Sequence, residues 1–434
     1  MFKEFILKNI VFKKRLELLE KKKKLYKEII KEEDIYNYQL HKFNNTWNYC
    51  INNLPFYKMW KQKHNLPEKI SSISDLKEFP ILTKKDIHEN KDLILENLEN
   101  YDLISTGGTS GITTEFPTSK HDRDITYINA YLCRSWWGIK PMDNILMFWG
   151  HSHLFGKGLK GYINHIKRRF SDFLINTTRI SSYSLTNENV KDFYEEIIEV
   201  KPESIISYSS NIFKICKHME SNNLYYKDNN LKGIILTSET VTNVDINLIN
   251  KYLNTNVINE YGMAETGVIS YSYEATNNIK TLWDSFILTS NDDELIITTI
   301  NDSIFPLINY TSEDVLVVKE IYKESILSIS SIEGKVRNVL NISFLDGTSQ
   351  EISTIFFDHV LKNYPNIYSI HYKQDDINVI IYLTSNISLD LLNLNDFLRN
   401  EVKKEFLNID FLKITMVQVD NVDKTIAGKN KTLL

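Results

Sequence analysis

The sequence predicts a two-domain α/β protein, with a large multi-layer α/β domain at residues 1–333 and a small α+β domain at residues 334–434. The 434 residues exceed the size at which one hydrophobic core usually stops growing. Between Asp124 and Leu316, helical stretches alternate with short β-rich runs, as in a layered α/β domain. After Gly334 the pattern changes to strands and two helices over about 100 residues, a common domain size.

Individual elements follow from local patterns. Residues 54–95 read as short helices separated by turns, with candidate helix starts at Ser74 and Thr83. In the large domain we predict a helix in NVKDFYEEIIEV, strands in ESIISYS, KGIILTS, NVINEYG and DDELIITTI, and a turn at the acidic segment SED. In the small domain we predict a helix in STIFFDHVLKNY and strands in YSIHYKQ and VIIYLTS.

The charge is concentrated at the N-terminus. Residues 1–31 carry a net charge of +7, which leaves −12 for the remainder of a chain whose total is −5. Apolar residues fall among these lysines at roughly helical spacing, namely Phe2, Phe5, Ile6, Leu16, Leu19, Ile29 and Ile30. A basic amphipathic helix is therefore predicted, either packed on its own protein or contacting a membrane surface or partner. The acidic remainder argues against nucleic acid as a partner.

Two further features bear on the compartment. No apolar run approaches the roughly 20 residues that cross a bilayer, and lysines interrupt the N-terminal apolar residues. The cysteines Cys50, Cys133 and Cys216 form no CxxC pair, so they predict buried thiols rather than disulfides or a zinc site. We expect a cytoplasmic protein without a transmembrane segment.

A loop rich in Ser, Thr and Gly is the first candidate for chemistry. It comprises Ser105, Thr106, Gly107, Gly108, Thr109, Ser110 and Gly111. Such a loop can turn backbone N–H groups and hydroxyls onto phosphate oxygens. No G-K-S/T follows, so it is not a Walker loop. Alone, the pattern fits either a phosphate loop or a flexible surface turn.

Further motifs follow this loop in order. They are ILTSE at 235–239, NEYGMAE at 259–265, YTSED at 310–314, GKVRN at 334–338 and KTIAGK at 424–429. In this order they resemble the motifs of adenylate-forming enzymes, in particular the phenylacetate-CoA ligase-like proteins and their capsular polysaccharide biosynthesis (CapK-type) branch. The resemblance spans nearly the whole chain. It implies an adenylation domain followed by a mobile lid domain, and the ATP- and Mg²⁺-dependent conversion of a carboxylic acid to acyl-AMP.

The resemblance also implies site residues. Beyond the loop, the implied ATP-binding residues are Ser238, Glu239, Glu260, Tyr261, Gly262, Asp314 and Lys335. Tyr261 offers a flat face to adenine, Asp314 can accept hydrogen bonds from ribose hydroxyls, and Glu265 is a hard oxygen ligand for Mg²⁺. Lys429 would place a compact cation between the carboxylate and the α-phosphate, so Lys429 and Glu265 are the expected catalytic residues.

The acid pocket is expected near two segments. WGHSHLFG at 149–156 resembles the histidine-containing region that lines the family's acyl pocket, and ISYSS covers 206–210. The candidate pocket residues are His151, His153, Tyr208, Ser209 and Met263. A metal site at the two histidines lacks a visible third ligand. The basic residues that follow, Lys157, Lys160, Lys167, Arg168 and Arg169, fit a solvated helix face or an acidic partner.

Several positions depart from the family pattern. Ile112 stands where a Lys-Pro pair usually follows the loop, so a phosphate-binding lysine is missing unless Lys120 reaches back. Glu313 replaces a glycine, and Lys335 replaces the hinge arginine. The segment NISFLDGTSQEIS differs from the glycine-rich loop of the CoA ligases.

These departures leave the acceptor and turnover open. The acyl group passes to a sugar amine or hydroxyl or to a carrier, or CoA serves as acceptor in an acyl- or aryl-CoA ligase. A nucleotide-binding scaffold without turnover is a third reading. A homodimer is a further expectation.

Overall fold

The computed structural model describes residues 12–106, 114–149, 158–181, 189–238, 241, 243–273, 278–291, 294–332, 339–344, 347–361, 367, 369–375, 378–385, 388–405 and 413–419. The helices are α1 (Lys13–Glu28), α2 (Glu32–Asn53), α3 (Pro55–His64), a 3-10 helix (Ile73–Glu78), α4 (Lys84–Glu89), α5 (Lys91–Leu95), α6 (Lys120–Trp136), α7 (Gly158–Leu174), α8 (Val190–Val200), α9 (Ser209–Ser221), α10 (Asn243–Leu253), α11 (Thr354–Leu361) and α12 (Leu391–Glu405).

The strands are β1 (Tyr101–Thr106), β2 (Thr114–Ser119), β3 (Ile145–Phe148), β4 (Thr177–Ile180), β5 (Ser204–Ser207), β6 (Gly233–Thr237), β7 (Val257–Met263), β8 (Gly267–Ser272), β9 (Ile279–Thr281), β10 (Phe286–Asn291), β11 (Glu294–Thr299), β12 (Tyr310–Tyr322), β13 (Ser325–Ile332), β14 (Val339–Ser343), β15 (Ser349–Ser353), β16 (Ser369–Asp375), β17 (Asn378–Thr384) and β18 (Ile414–Gln418). The α/β class and the helices and strands predicted above are confirmed.

One mixed sheet of eleven strands organises the larger part of the chain, in the order β10-β11-β12-β13-β9-β8-β7-β6-β5-β3-β4. The pairings from β4 to β7 are parallel, and those from β7 to β10 are antiparallel. Every residue of β5 and β6 is buried, as expected for parallel strands covered by helices on both faces. The carboxyl ends of the parallel strands therefore meet at one edge of the sheet.

The N-terminal basic segment packs on the protein itself. Within α1, Leu19 is buried, and Arg15 forms an ion pair with Asp124 of α6 at 2.6 Å. The Lys22 ammonium lies 2.7 Å from the Asp284 carboxylate, with both side chains almost fully buried. The first of the two readings of this segment is therefore correct for α1. The helix is shorter than residues 1–31, because it ends at Glu28 and α2 begins at Glu32; Phe2, Phe5 and Ile6 lie outside the described residues.

Short helices occupy residues 54–95, as predicted, and two of them begin with reciprocal side-chain caps. The Thr83 hydroxyl accepts from the backbone N–H of Asp86, while the Asp86 carboxylate accepts from the N–H of Thr83. The start predicted at Ser74 is wrong. The 3-10 helix begins at Ile73, because Ser72 supplies the cap and Asp75 closes the capping box.

Residues 339–419 carry strands and helices, as predicted. The described part contains the two-stranded sheet β14-β15, the three-stranded sheet β16-β17-β18, and helices α11 and α12. A hydrophobic core joins them, and all its fully buried members come from residues 340–416. The domain boundary at residue 333 stays a prediction, because residues 333–338 lie outside the described part.

Helix α7 shows both basic and apolar side chains to solvent. Lys167, Arg168 and Arg169 are exposed, which favours the solvated helix face for these three residues. Ile166, Phe170 and Phe173 are exposed as well. No helix in the described ranges combines the length and apolar content that spanning a bilayer requires.

All three cysteines are free and buried. Burial raises the pKa of the Cys50 and Cys133 thiols well above the ordinary value, so little thiolate forms at mildly alkaline pH. We expect no rapid reaction of the native protein with a thiol-specific disulfide reagent, and the reaction of three thiols in guanidinium chloride. A fast-reacting thiol in the native protein would contradict the burial.

Candidate functional site

The sheet edge at the carboxyl ends of β5, β6 and β7 gathers three predicted segments. Thr237, the last residue of β6, lies opposite Glu260 of β7 in the parallel register. Tyr208 and Ser238 directly follow the ends of β5 and β6. Ser238 is exposed and has a φ of 67°, so the chain turns sharply as it leaves the sheet. Ligand sites of α/β sheets lie outside this edge.

Tyr261 and Asp314 form a hydrogen-bonded pair. The Tyr261 hydroxyl donates to the Asp314 carboxylate at 2.7 Å, joining β7 to β12. Burial raises the pKa of the Tyr261 phenol well above its ordinary value, and the negative charge of Asp314 adds to the rise. The phenol therefore stays protonated and acts as a donor. Two residues taken from motifs about 50 positions apart in the sequence thus meet at one point.

A second pair of the same kind lies beside the first. Tyr310 is fully buried, and its hydroxyl donates to Oε1 of Glu265 at 2.9 Å. Burial raises the pKa of Tyr310 well above its ordinary value, and the charges of Glu265 and Glu313 contribute. The Glu265 carboxylate is thus held through one oxygen. No hydrogen bond to its Oε2 is found within the described residues, so this oxygen has acceptor capacity left for a ligand.

The segment predicted as an SED turn is instead a bulge inside the long strand β12. Thr311 lies opposite Ile296 and Val315 opposite Glu294, so three residues of β12 face the single residue Leu295. Bulges of this kind re-aim side chains and are common beside active sites. The prediction was wrong because side-chain hydrogen bonds hold this turn within the sheet: the Ser312 hydroxyl donates to the carbonyl of Leu295 and accepts from the N–H of Asp314.

Glu313 occupies the most demanding backbone position of this bulge. Its φ is 61°, in the left-handed region that costs a residue with a Cβ about 1–2 kcal/mol. This explains in physical terms why a glycine suits the position. The Glu313 carboxylate pairs with the ammonium of Lys84 at 3.5 Å, and the Lys84 side chain is only 9% exposed.

Glu260 and Tyr261 are consecutive on β7 and therefore project to opposite faces of the sheet. The Glu260 carboxylate is nearly buried and lies 4.0 Å from the guanidinium of Arg134 on α6. Burial raises the pKa of Glu260, while Arg134 and a hydrogen bond from Thr237 lower it in part. The predicted ATP-binding residue Glu260 thus pairs with Arg134 on the face of the sheet opposite to Tyr261.

Gly262 sits where β7 and β8 approach most closely. A Cβ built there would lie 2.4 Å from the carbonyl oxygen of Gly267, a backbone atom that no side-chain rearrangement can displace. Met263 follows and packs against two of the hydrophobic cores. The positions of Gly262 and Met263 thus fix the turn that carries Glu265.

Strands β1 and β2 flank the Ser/Thr/Gly loop as an antiparallel hairpin. Ser105 lies opposite Glu115, and Thr106 opposite Thr114. Lys120 does not reach back to this end of the hairpin. It begins α6 after the last residue of β2, and six extended residues separate it from Thr114 by roughly 20 Å, further than a lysine side chain extends.

Of the described pocket candidates, Tyr208 directly follows β5, Ser209 begins α9 and Met263 ends β7. Tyr208 is buried against Trp149, with 5.0 Å between ring centroids, and Ser209 is fully buried. Ten predicted site residues lie outside the described part of the chain: Gly107, Gly108, Thr109, Ser110, Gly111, His151, His153, Glu239, Lys335 and Lys429.

Sequence reasoning missed three contributors. Tyr310 holds Glu265, Lys84 pairs with Glu313, and Arg134 faces Glu260. Tyr310 begins the motif YTSED, in which a polar aromatic residue precedes two acidic residues. This pattern could have identified Tyr310 as a candidate site residue. Lys84 and Arg134 carry no such signal, because their partners are more than 100 positions away.

The donor set fits a nucleotide with a divalent cation. Two carboxylates, Asp314 and Glu265, lie at the sheet edge, each fixed by one tyrosine hydroxyl. Carboxylate oxygens suit both ribose hydroxyls and Mg²⁺, which usually takes only one or two protein ligands and completes its shell with water and phosphate. No cluster of three or more metal-ligating side chains occurs among the described residues.

Comparison with solved structures identifies the class of this fold. The chain superposes on 2-hydroxyisobutyryl-CoA ligase in complex with 2-HIB-AMP and CoA with a TM-score of 0.59 and 13% identity, covering 93% of this chain and 90% of that chain. An open conformation of the same ligase gives a TM-score of 0.53 at 12% identity, over 93% and 91%. The fold is that of the adenylate-forming ligases, as the motifs predicted.

In sequence, the chain is similar to Protein CapK of Staphylococcus aureus. The two are 25% identical over 416 residues, which cover 92% of this chain and 88% of that protein. No family model matches the chain. The resemblance drawn from the ordered motifs is therefore confirmed by fold and by a relative that spans nearly the whole sequence.

Proposed function

We propose that this protein is an ATP-dependent ligase that adenylates a carboxylic acid and releases pyrophosphate. The observation that supports this proposal is a pair of carboxylates, Asp314 and Glu265, at the carboxyl edge of the large sheet. Each is held by a tyrosine hydroxyl, and the fold is that of the adenylate-forming ligases. A preorganised carboxylate needs no rearrangement when the ligand arrives, which favours binding and catalysis.

Asp314 would accept the ribose hydroxyls while it keeps its hydrogen bond from Tyr261. Glu265 would hold Mg²⁺, which neutralises charge on the phosphate oxygens. The substrate carboxylate would attack the α-phosphorus, and the bond from that phosphorus to the bridging oxygen would break as pyrophosphate leaves. Tyr310 keeps the Glu265 carboxylate in place during this step.

Lys429 completes the proposal from the C-terminal part of the chain. Its ammonium would stabilise the charge that develops between the carboxylate and the α-phosphate. Lys429 belongs to residues 334–434, so this part of the chain would act as a mobile lid that brings the ammonium to the sheet edge. Movement about Lys335 would then admit the acceptor.

For the acceptor we propose an amine or hydroxyl of a sugar, or a carrier, in the synthesis of a surface polysaccharide. The similarity to Protein CapK supports this direction, as does the sequence NISFLDGTSQEIS in place of a glycine-rich loop. The fold is shared with a ligase solved in complex with CoA, so a thioester product is the second candidate.

Product analysis tests both steps. The protein is incubated with MgATP and a panel of aryl, amino, hydroxy and short-chain acids, with and without CoA, and the products are identified by mass spectrometry. Acyl-AMP and pyrophosphate without CoA, unchanged when CoA is added, support the proposal. Conversion to acyl-CoA establishes the second candidate. ATP binding without any acyl-AMP would identify a non-catalytic nucleotide-binding protein.

Replacing Tyr310 with Phe tests the Glu265 site. The ring remains, but Oε1 of Glu265 loses its donor. We expect the free energy of unfolding to fall by about 1 kcal/mol and the Mg²⁺ concentration for half-maximal activity to rise about tenfold. Tyr226→Phe is the control, because the buried hydroxyl of Tyr226 has no hydrogen-bond partner among the residues that the structure describes. Equal Mg²⁺ requirements in both variants would contradict the assignment.

A further inference from the structure

Lys84 is a buried cation that lies beside the bulge of β12. It begins α4, and its ammonium pairs with Glu313 at 3.5 Å. Its side chain is 9% exposed, while that of Glu313 is 35% exposed. A charge so deeply buried is seldom found without a partner that compensates its desolvation. The partner that compensates the charge of Lys84 is Glu313, which lies in the bulge of β12.

The backbone ties these two elements together. The N–H of Leu82 donates to the carbonyl of Asn309 at 2.9 Å, and the N–H of Thr311 donates to the carbonyl of Leu82 at 3.0 Å. Residues 82–84 thus run alongside the start of β12. These backbone hydrogen bonds fix the position of Lys84 relative to the bulge. The Lys84 ammonium is therefore held close to the Glu313 carboxylate.

The backbone conformation of Glu313 needs a contact that stabilises it. Its left-handed φ of 61° is unfavourable for a residue with a Cβ, and Asp314 is the next residue along the chain. Any relaxation of Glu313 toward an ordinary β conformation would rotate the Asp314 carboxylate away from the Tyr261 hydroxyl. The ion pair opposes that relaxation, because it holds the Glu313 side chain on the side that the left-handed turn requires.

We infer that the Lys84–Glu313 ion pair takes over the task of a glycine in this bulge and positions Asp314 for the nucleotide. The inference rests on the proposed nucleotide site at Asp314 and deepens it. Lys84 and Glu313 are positioning residues, which act on the ligand through Asp314. Glu313 therefore does not disrupt the site, because its ion pair with Lys84 compensates for the unfavourable backbone conformation.

The competing reading is that Lys84 contacts the phosphates directly and replaces the lysine missing after the Ser/Thr/Gly loop. The hydroxyl of Thr114, the first residue of β2, donates to the Lys84 carbonyl at 3.5 Å, so Lys84 lies close to the hairpin that carries this loop. The two readings differ in one respect. If the pair only supports the turn, a glycine at 313 makes Lys84 dispensable.

The test measures the dissociation constant for ATP by calorimetry in five variants: Lys84→Met, Glu313→Ala, Glu313→Gly, the double variant Lys84→Met/Glu313→Gly, and Lys85→Met. Lys85 is the matched control, since it is the next residue of α4 and its side chain is 70% exposed. Melting temperatures are recorded for all five.

We expect Lys84→Met and Glu313→Ala each to weaken ATP binding about tenfold, because Asp314 is no longer held in place. Glu313→Gly and the double variant should stay within about threefold of the unmodified protein, since glycine adopts the turn unaided. Lys85→Met should leave binding unchanged. If Lys84→Met does not fold, the comparison of Glu313→Ala with Glu313→Gly carries the test alone.

A double variant as weak as Lys84→Met, with Glu313→Gly near normal, would overturn the inference in favour of direct contact with phosphate. Equal effects of alanine and glycine at position 313 would overturn it as well. Absence of ATP binding to the unmodified protein would overturn both the inference and the proposed function. Intact binding with the expected pattern, but no acyl-AMP with any acid, would overturn the proposed function and leave the inference standing.

Discussion

Replacing Asp314 with Ala is expected to lower kcat/KM for ATP by about 100-fold or more. Hydrogen bonds to a charged group contribute about 1.5–3 kcal/mol each, and the buried Asp314 carboxylate would make two to the ribose. The substitution also leaves the Tyr261 hydroxyl without its acceptor, so the melting temperature should fall. The measurement is steady-state pyrophosphate release at varied ATP concentrations with saturating acid.

Two variants separate binding from stability. Tyr261→Phe removes the same hydrogen bond but keeps the carboxylate, so it should lose similar stability and much less activity. Asp302→Ala removes an exposed carboxylate, 77% accessible, and should change kcat/KM less than about twofold. Equal losses of activity in Asp314→Ala and Tyr261→Phe would show that Asp314 acts only by holding the fold.

Replacing Lys22 with Met is expected to lower the free energy of unfolding by about 3 kcal/mol, because removing one partner of a buried pair leaves an uncompensated charge. The Lys22 ammonium serves Asp284 at 2.7 Å and the Ser285 hydroxyl at 2.9 Å. After the change the Asp284 carboxylate keeps the Tyr26 hydroxyl as a donor at 2.7 Å and the Ser285 hydroxyl at 3.4 Å, but no cation. Urea denaturation followed by tryptophan fluorescence measures the loss.

Lys24→Met is the control for this prediction. Lys24 lies two positions along α1, its side chain is 75% exposed, and its pair with Glu28 at 3.5 Å is a surface pair of small value. Its replacement should change stability by less than about 0.5 kcal/mol. Similar effects of the two substitutions would mean that α1 is not docked through Lys22, and the membrane-surface reading of the N-terminal segment would return.

The fold was predictable because its signals are local and repeated. Short apolar runs such as IILT become buried strands wherever helices cover both faces of a sheet, and helix starts such as Thr83 carry their own capping box. The bulge at residues 312–314 was not predictable from local pattern. Its conformation depends on hydrogen bonds and an ion pair with residues far away in the sequence, Leu295 and Lys84.

The sequence motifs nominated the candidate site residues, but they did not predict the hydrogen-bond partners of those residues. Ordered motifs identified Tyr261, Glu265 and Asp314, yet no spacing rule shows that Tyr261 serves Asp314 while Tyr310 serves Glu265. The departure at Glu313 pointed toward a weakened site, but the structure pairs it with a buried lysine from another element. Substitutions that depart from a motif are therefore best interpreted together with their spatial partners.

ATP–pyrophosphate exchange over a panel of aryl, amino, hydroxy and short-chain acids tests the central claim most directly, with Lys429→Ala and the matched control Lys431→Ala measured alongside. We predict exchange that depends on one class of acid, falls about 100-fold or more in Lys429→Ala, and is unchanged in Lys431→Ala. Measurable ATP binding with no exchange for any acid, or full exchange in Lys429→Ala, would contradict this account.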